Sequence, residues 1–263
     1  MNTVTSRDGT IVAFERSGAG PAVILVGGAL GGRADAQLVA HLARHFAVFD
    51  YDRRGRGASG DTPPYAVERE VEDIDALIAA AGGSAFLYGI SSGAVLALEA
   101  ASKFPTRVAK LALYEPPFII DDSRPPLPGD YVAQLNELVA AGRRGAAVEY
   151  FMTAALRLPD EYLAPMRAHP SWARMEAVAH TIAYDGTIMG DTMSGKPLPT
   201  ARWTTVTLPT LVMNGGESEA FFHDAAQALA ALLPDAQRRV LPGQDHNVDA
   251  NALAPALTAF FLG

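Results

Sequence analysis

The sequence predicts an α/β fold: a doubly wound, mostly parallel sheet of eight strands, interrupted late in the chain by a block of helices. Three observations predict it. Continuous apolar runs that end in Gly or Ser, such as "PAVILVGG" and "SAFLYGIS", read as strands buried on both faces. Stretches with apolar residues at three- and four-residue spacing alternate with them and read as amphipathic helices. The alternation stops near Pro116 and resumes near Pro209, which marks the insert.

In chain order, two strands are expected around 2–6 and 10–16, joined by the hairpin signal Arg7-Asp8-Gly9-Thr10. "PAVILVGG" is the next strand. Leu38, Leu42 and Phe46 then place a helix over 33–46. "FAVFDYDRRG" reads as a strand, and Val67, Val71, Ile74, Leu77 and Ile78 share one face of a helix over 66–81. "SAFLYGIS" runs into "SGAVLALEAASKF", a good helix former with no internal proline, and "VAKLALYEPP" follows as a strand. Residues 119–203 are helical in pattern, punctuated by proline and rich in Met and aromatics. "PTLVMNGG", a helix near 221–233, "AQRRVLPGQDH" and a helix near 252–262 complete the rhythm. The expected organisation is a core of 1–118 with 204–263 and a helical cap of 119–203.

Composition limits the function classes. A chain of 263 residues, 49% apolar and 19% charged, suits a globular protein with a sizeable core. No apolar run reaches the ~18 residues needed to span a membrane, and MNTVTSRDGT lacks the pattern of a secretory signal. The absence of cysteine excludes disulfides, thiolate metal sites and a cysteine nucleophile. A cytoplasmic location is the resulting expectation. The net charge of −8 disfavours nucleic acid as a partner, and the clusters Arg53-Arg54-Gly55-Arg56 and Arg143-Arg144 are too small to reverse that. Glu68, Glu70, Glu72, Asp73 and Asp75 are expected on a solvated helix face.

The residues that carry chemistry centre on Gly89-Ile90-Ser91-Ser92-Gly93. A Gly-x-Ser-x-Gly string is informative only between a buried strand and a helix, and that is its context here. A sharp turn pushes the Ser91 side chain out above the sheet, with glycines at the crowded positions. The helix starting at Ser92 aims its N–H groups and positive dipole end at whatever Ser91 attacks. The competing reading is a serine that merely caps the helix. A serine nucleophile needs a base. His41, His45, His169, His180 and His223 fall on expected helices, whereas His246 lies in Gly243-Gln244-Asp245-His246, a loop after the last strand. From there it can reach Ser91 from above the sheet.

These features together resemble the α/β-hydrolase superfamily, in its serine-nucleophile branch with a helical cap after strand six. The resemblance rests on the Gly-Ile-Ser-Ser-Gly elbow, "DYDRRGRGASG" and "VLPGQDH", and covers essentially the whole chain. It implies an acyl-transfer nucleophile at Ser91, a general base at His246 and a carboxylate that orients the histidine. Two departures stand out. The loop that supplies an oxyanion-hole N–H usually begins His-Gly and here reads Gly27-Gly28-Ala29-Leu30; because the donor is backbone, the hole is assigned to Ala29 and Ser92. The usual acid, just after strand seven, falls on Ser218 in Gly216-Glu217-Ser218-Glu219. Glu115, at the tip of strand six in Leu-Tyr-Glu-Pro-Pro, is the preferred substitute, with Glu217 in reserve, Glu219 also flanking, and a plain structural role for Glu115 as the alternative.

Asp52 and Arg53 are expected to stabilise their glycine-rich loop. Met152, Met166, Met175, Met189 and Met193, with Trp172, Tyr150, Tyr162 and Tyr184, either pack the cap helices together or form an adaptable apolar ceiling over the site. No metal-ligand spacing, dinucleotide fingerprint or phosphate loop is present, so neither cofactor nor metal is expected. The expected partner is a small molecule. The resemblance thus implies a cofactor-free serine hydrolase acting on an ester, thioester or lactone of a small, fairly apolar molecule. A lyase or cyclase on the same fold, or a binding protein with a decayed triad, remains the alternative.

Overall fold

The computed structural model describes residues 1–263. Eight strands form one sheet: β1 (Asn2–Thr5), β2 (Ile11–Ser17), β3 (Ala22–Val26), β4 (Ala47–Tyr51), β5 (Ala85–Ile90), β6 (Val108–Tyr114), β7 (Thr210–Gly215) and β8 (Ala236–Leu241). Their spatial order is β1-β2-β4-β3-β5-β6-β7-β8. The β1–β2 and β2–β4 pairs are antiparallel; from β4 to β8 every pair is parallel. Every residue of β3 and β4 is buried, as a parallel sheet covered on both faces requires. Alternate side chains of β3 feed two separate cores. Ile24 and Val26 pack with α2 (Val67–Ala80), α3 (Ser92–Lys103) and α9 (Ala220–Leu232), while Val23 and Leu25 pack with α1 (Ala36–Leu42) and α10 (Ala250–Leu262).

Between β6 and β7 the chain forms α4 (Tyr131–Ala140), α5 (Arg144–Tyr150), α6 (Leu163–Ala168), α7 (Trp172–Ala177) and α8 (Thr181–Met189), with a wider helical turn at Phe151–Ala155. These helices share a small core of their own around Leu135, Val148, Trp172 and Ile182. Helix α8 also packs on α2 and α3, so the insert is seated directly over the elements that follow β4 and β5. No helix is long and apolar enough to cross a membrane.

Two expectations are corrected. The helix placed over 33–46 spans only α1, whose start is set by Asp35, which caps it by accepting from the N–H groups of Gln37 (2.7 Å) and Leu38 (3.3 Å). The acidic run on α2 is not a uniformly solvated face. Glu70 and Asp73 are each 1% exposed. Glu70 accepts two bonds of 2.8 Å from Arg53, and Asp73 accepts two, at 2.7 and 2.8 Å, from Arg54. Bidentate guanidinium pairing makes burial of these carboxylates tolerable. Asp52 does serve its own loop, accepting from the N–H of Ala58 at 3.0 Å.

Candidate active site

Strand register brings the site residues to one edge. Val26 pairs with Gly89, and Ile90 with Tyr114, so the segments after β3, β5 and β6 leave the sheet side by side at its carboxyl end. Ser91 has φ 57° and ψ −130°, a region costly for a residue with a Cβ, on the order of 1–3 kcal/mol. It stands at the N-terminus of α3, yet its side chain caps nothing. The hydroxyl is therefore not committed to holding the helix.

The glycines explain how the turn fits. A Cβ on Gly93 would run into the carbonyl oxygens of Val26 and Gly27, and one on Gly28 would come within 3.0 Å of the Ser91 Cβ. Gly93→Ala is accordingly expected to lower stability by about 1–3 kcal/mol, read as a drop in the urea midpoint; an unchanged midpoint would refute this account of the elbow.

Glu115 is fully buried, with φ 49°. Its Oε2 lies 2.7 Å from Nδ1 of His246. Its Oε1 accepts from the Gly215 N–H at 2.7 Å and from the Ser218 hydroxyl. Ser218, at the position where the family's carboxylate usually stands, thus props up the carboxylate on the neighbouring strand. Neither Glu217 nor Glu219 forms a hydrogen bond or ion pair with His246; Glu219 instead pairs with Arg124 at 2.7 Å. The His246 ring stacks on Phe222, 4.8 Å between centroids. The Tyr114 hydroxyl donates to the Asp245 carbonyl at 2.6 Å, tying the histidine loop to β6.

Ser91, His246, Ala29 and Ser92 line one cavity of about 400 Å³. No hydrogen bond joins Ser91 to His246 in this structure; with Nδ1 held by Glu115, Nε2 is the ring nitrogen left for the serine. The N–H groups of Ala29 and Ser92 donate to no backbone carbonyl, so both remain free for a ligand oxygen. The rest of the wall is mainly apolar: Tyr131, Phe151, Leu156, Leu158, Ile182, Met189, Met193 and Phe221. Of the methionines and aromatics singled out in the insert, only Met189 and Met193 reach the cavity. Met152 and Trp172 lie in the insert's own core, with Met166, Met175 and Tyr150 packed against it. Tyr184 stacks on Tyr65, and Tyr162 is exposed.

The sequence did not point to Asp185, which is buried at the cavity wall. It accepts from Arg53 (2.7 Å) and the Ser92 hydroxyl (2.8 Å) through Oδ1, and from Arg56 (2.7 Å) through Oδ2. Burial by itself would raise its carboxyl, but the Arg56 and Arg53 guanidiniums outweigh that and hold it below the usual carboxylate range. Burial likewise opposes the charge on Arg53, and Glu70 with Asp185 overcomes it, raising that group well above its ordinary value. One signal was legible: Asp185 is the sole charge in the helical stretch "TIAYDGTIM".

Comparison with known proteins agrees with this architecture. A crystal structure of an alpha/beta hydrolase from Sphaerobacter thermophilus superposes with a TM-score of 0.91 at 54% identity, covering 99% of this chain and 100% of that one. The 2-(acetamidomethylene)succinate hydrolase of Mesorhizobium japonicum is 28% identical over 256 residues, 92% of this chain and 86% of that protein. An uncharacterized hydrolase of Bacillus subtilis, YraK, is 34% identical over 114 residues; that match spans 41% of this chain and under half, 42%, of the relative. The sequence profile described as alpha/beta hydrolase fold matches residues 21–248. With an eight-stranded, mostly parallel sheet and that profile over most of its length, the chain belongs to the alpha/beta hydrolase family.

Proposed function

We propose that the protein is a serine hydrolase that needs no cofactor and cleaves an ester, thioester or lactone of a small, fairly apolar molecule. The observation that carries this reading is the Glu115–His246 contact, a buried carboxylate 2.7 Å from Nδ1 of a histidine that lines the same cavity as an uncapped elbow serine. In the proposed reaction Ser91 Oγ attacks the acyl carbon as its proton passes to His246 Nε2. Glu115 fixes the tautomer with Nδ1 protonated and stabilises the imidazolium. The N–H groups of Ala29 and Ser92 hold the oxyanion. Collapse expels the alcohol or thiol, which takes the proton from Nε2, and leaves an acyl group on Ser91. Water then attacks that acyl group with His246 as base, releasing the acid and restoring the serine.

Residues 119–203 are read as a cap over this chemistry. Their contribution of Tyr131, Phe151, Leu156, Leu158, Ile182, Met189 and Met193 to the cavity supports that reading, as does its volume, within the ~300–1,000 Å³ common for small-molecule sites. Arg124, held over the Phe221 ring at 4.2 Å, also lines the wall, where Glu219 of the same cavity meets its charge at 2.7 Å and the Ala155 carbonyl accepts its other terminal nitrogen at 2.9 Å.

Incubation with a fluorophosphonate followed by peptide mass mapping tests the reading. Stoichiometric labelling at Ser91 is the expected result. Folded protein that remains unlabelled would overturn it in favour of a lyase, cyclase or binding protein.

A further inference from the structure

The cluster around Asp185 does more than neutralise itself. Arg56 reaches two places at once: one terminal nitrogen donates to Asp185 Oδ2 at 2.7 Å, and the other donates to the carbonyl oxygen of Gly28 at 2.6 Å. The fork is steadied from a third side, where Arg56 Nε donates to the Thr181 hydroxyl at 3.1 Å. Gly28 O belongs to the same peptide unit as the N–H of Ala29. That unit is trans, since the only cis peptide precedes Pro64. In a planar trans peptide the C=O and N–H point in opposite directions. A guanidinium that pulls the carbonyl to one side therefore aims the Ala29 N–H to the other, where Ala29 lines the cavity with Ser91. A charge-assisted bond to the carbonyl also polarises the peptide and makes its N–H a better donor.

The same carboxylate touches the second donor. Asp185 Oδ1 accepts from the Ser92 hydroxyl at 2.8 Å, which fixes the residue whose backbone N–H completes the pair. Arg53 donates to the Gly27 carbonyl at 3.1 Å and to Asp185 at 2.7 Å, and Glu70 takes up its remaining charge. Two guanidiniums and two carboxylates balance, so the buried cluster is neutral as a whole.

We propose that Asp185, carried by the inserted helices, and Arg56 are positioning residues that align both donors of the oxyanion hole, so that the hole is assembled only when α8 is seated on α3. This rests on the hydrolase reading above. A transition-state oxyanion gains from the alignment and a neutral ground-state carbonyl gains much less, so the effect belongs in the chemical step and not in binding.

The test is Arg56→Lys, which keeps a cation for Asp185 but loses the fork that spans Asp185 and Gly28. Saturation kinetics of Ser91 phosphonylation by a fluorophosphonate separate the inhibition constant Ki from the limiting rate kinact without requiring the natural substrate. The expected result is a kinact lower by roughly 10–100-fold, less than the loss of a whole donor, with Ki within about twofold of wild type; the thermal midpoint falls, since lysine cannot reach Asp185, Gly28 and Thr181 together, but the protein stays folded at the assay temperature. An unchanged kinact in folded protein, or an effect confined to Ki, overturns the proposal. Should Arg56→Lys fail to fold, Ser92→Ala removes only the hydroxyl link to Asp185 and leaves the backbone donor in place. It is expected to lower kinact by about 3–10-fold, and no change overturns the proposal. Wild-type protein that resists the probe altogether refutes the hydrolase reading instead.

Discussion

Ser91→Ala is expected to lower kcat by at least ~10³-fold, as removal of a triad nucleophile does, and to leave the thermal unfolding midpoint unchanged. The separation of the two effects follows from the elbow. The hydroxyl makes no helix-capping bond, so deleting it costs no structural hydrogen bond. Alanine retains a Cβ and therefore retains the strain at φ 57°, so no stability is gained either. Glycines 28 and 93, which admit the turn, are untouched. Activity is measured on a panel of p-nitrophenyl esters and stability by thermal denaturation. A variant that keeps more than about a tenth of the wild-type rate would remove covalent catalysis through this serine from consideration.

Glu115→Gln is expected to cost about 10³–10⁴-fold in kcat, the scale seen when a triad acid becomes an amide. The direction follows from the carboxylate's three hydrogen-bond partners. Oε1 accepts from the Gly215 N–H, a donor that cannot rotate away. In the glutamine variant the amide oxygen must stay there, so the NH2 faces His246 Nδ1. An NH2 in that place forces Nδ1 to accept and Nε2 to carry the proton, the tautomer unable to take the serine's proton. KM should move little, because Glu115 is fully buried and is not part of the cavity wall. A kcat within tenfold of wild type would reduce Glu115 to a structural residue.

The sheet and the turn that carries Ser91 were legible for a common physical reason: both depend on local signals. Strands buried on both faces leave uninterrupted apolar runs, and a nucleophile on a strand-to-helix turn must be flanked by glycines. The contact of Glu115 with His246 was legible by subtraction, since Ser218 stood where the resemblance expects a carboxylate and β6 was followed at once by Glu115. What stayed hidden depends on partners far along the chain. Glu70 and Asp73 look like any acidic helix face until Arg53 and Arg54, 17 and 19 residues earlier, fold onto them. The dual reach of Arg56 involves a residue 129 positions away and a carbonyl, which has no letter in the sequence. Ser218 and Phe222 acquire their roles only because β7 lies beside β6.

The span of these partnerships bears on how the chain acquires its reactivity. Glu115 meets His246 across 131 residues, and Ser92 meets Asp185 across 93. Contacts of such separation require closing long loops, whose entropic cost must be met before those contacts repay it. The elbow alone, with its strand and helix adjacent in sequence, can form early and still be inert. If Ser91 is activated as proposed, its reactivity toward an electrophile would register the arrival of the last strand and the seating of the insert, whereas helical content would register neither. In refolding from urea, recovery of ellipticity and recovery of probe labelling would then measure different events on one molecule, and any interval between them would be the time the chain spends folded in outline but chemically silent.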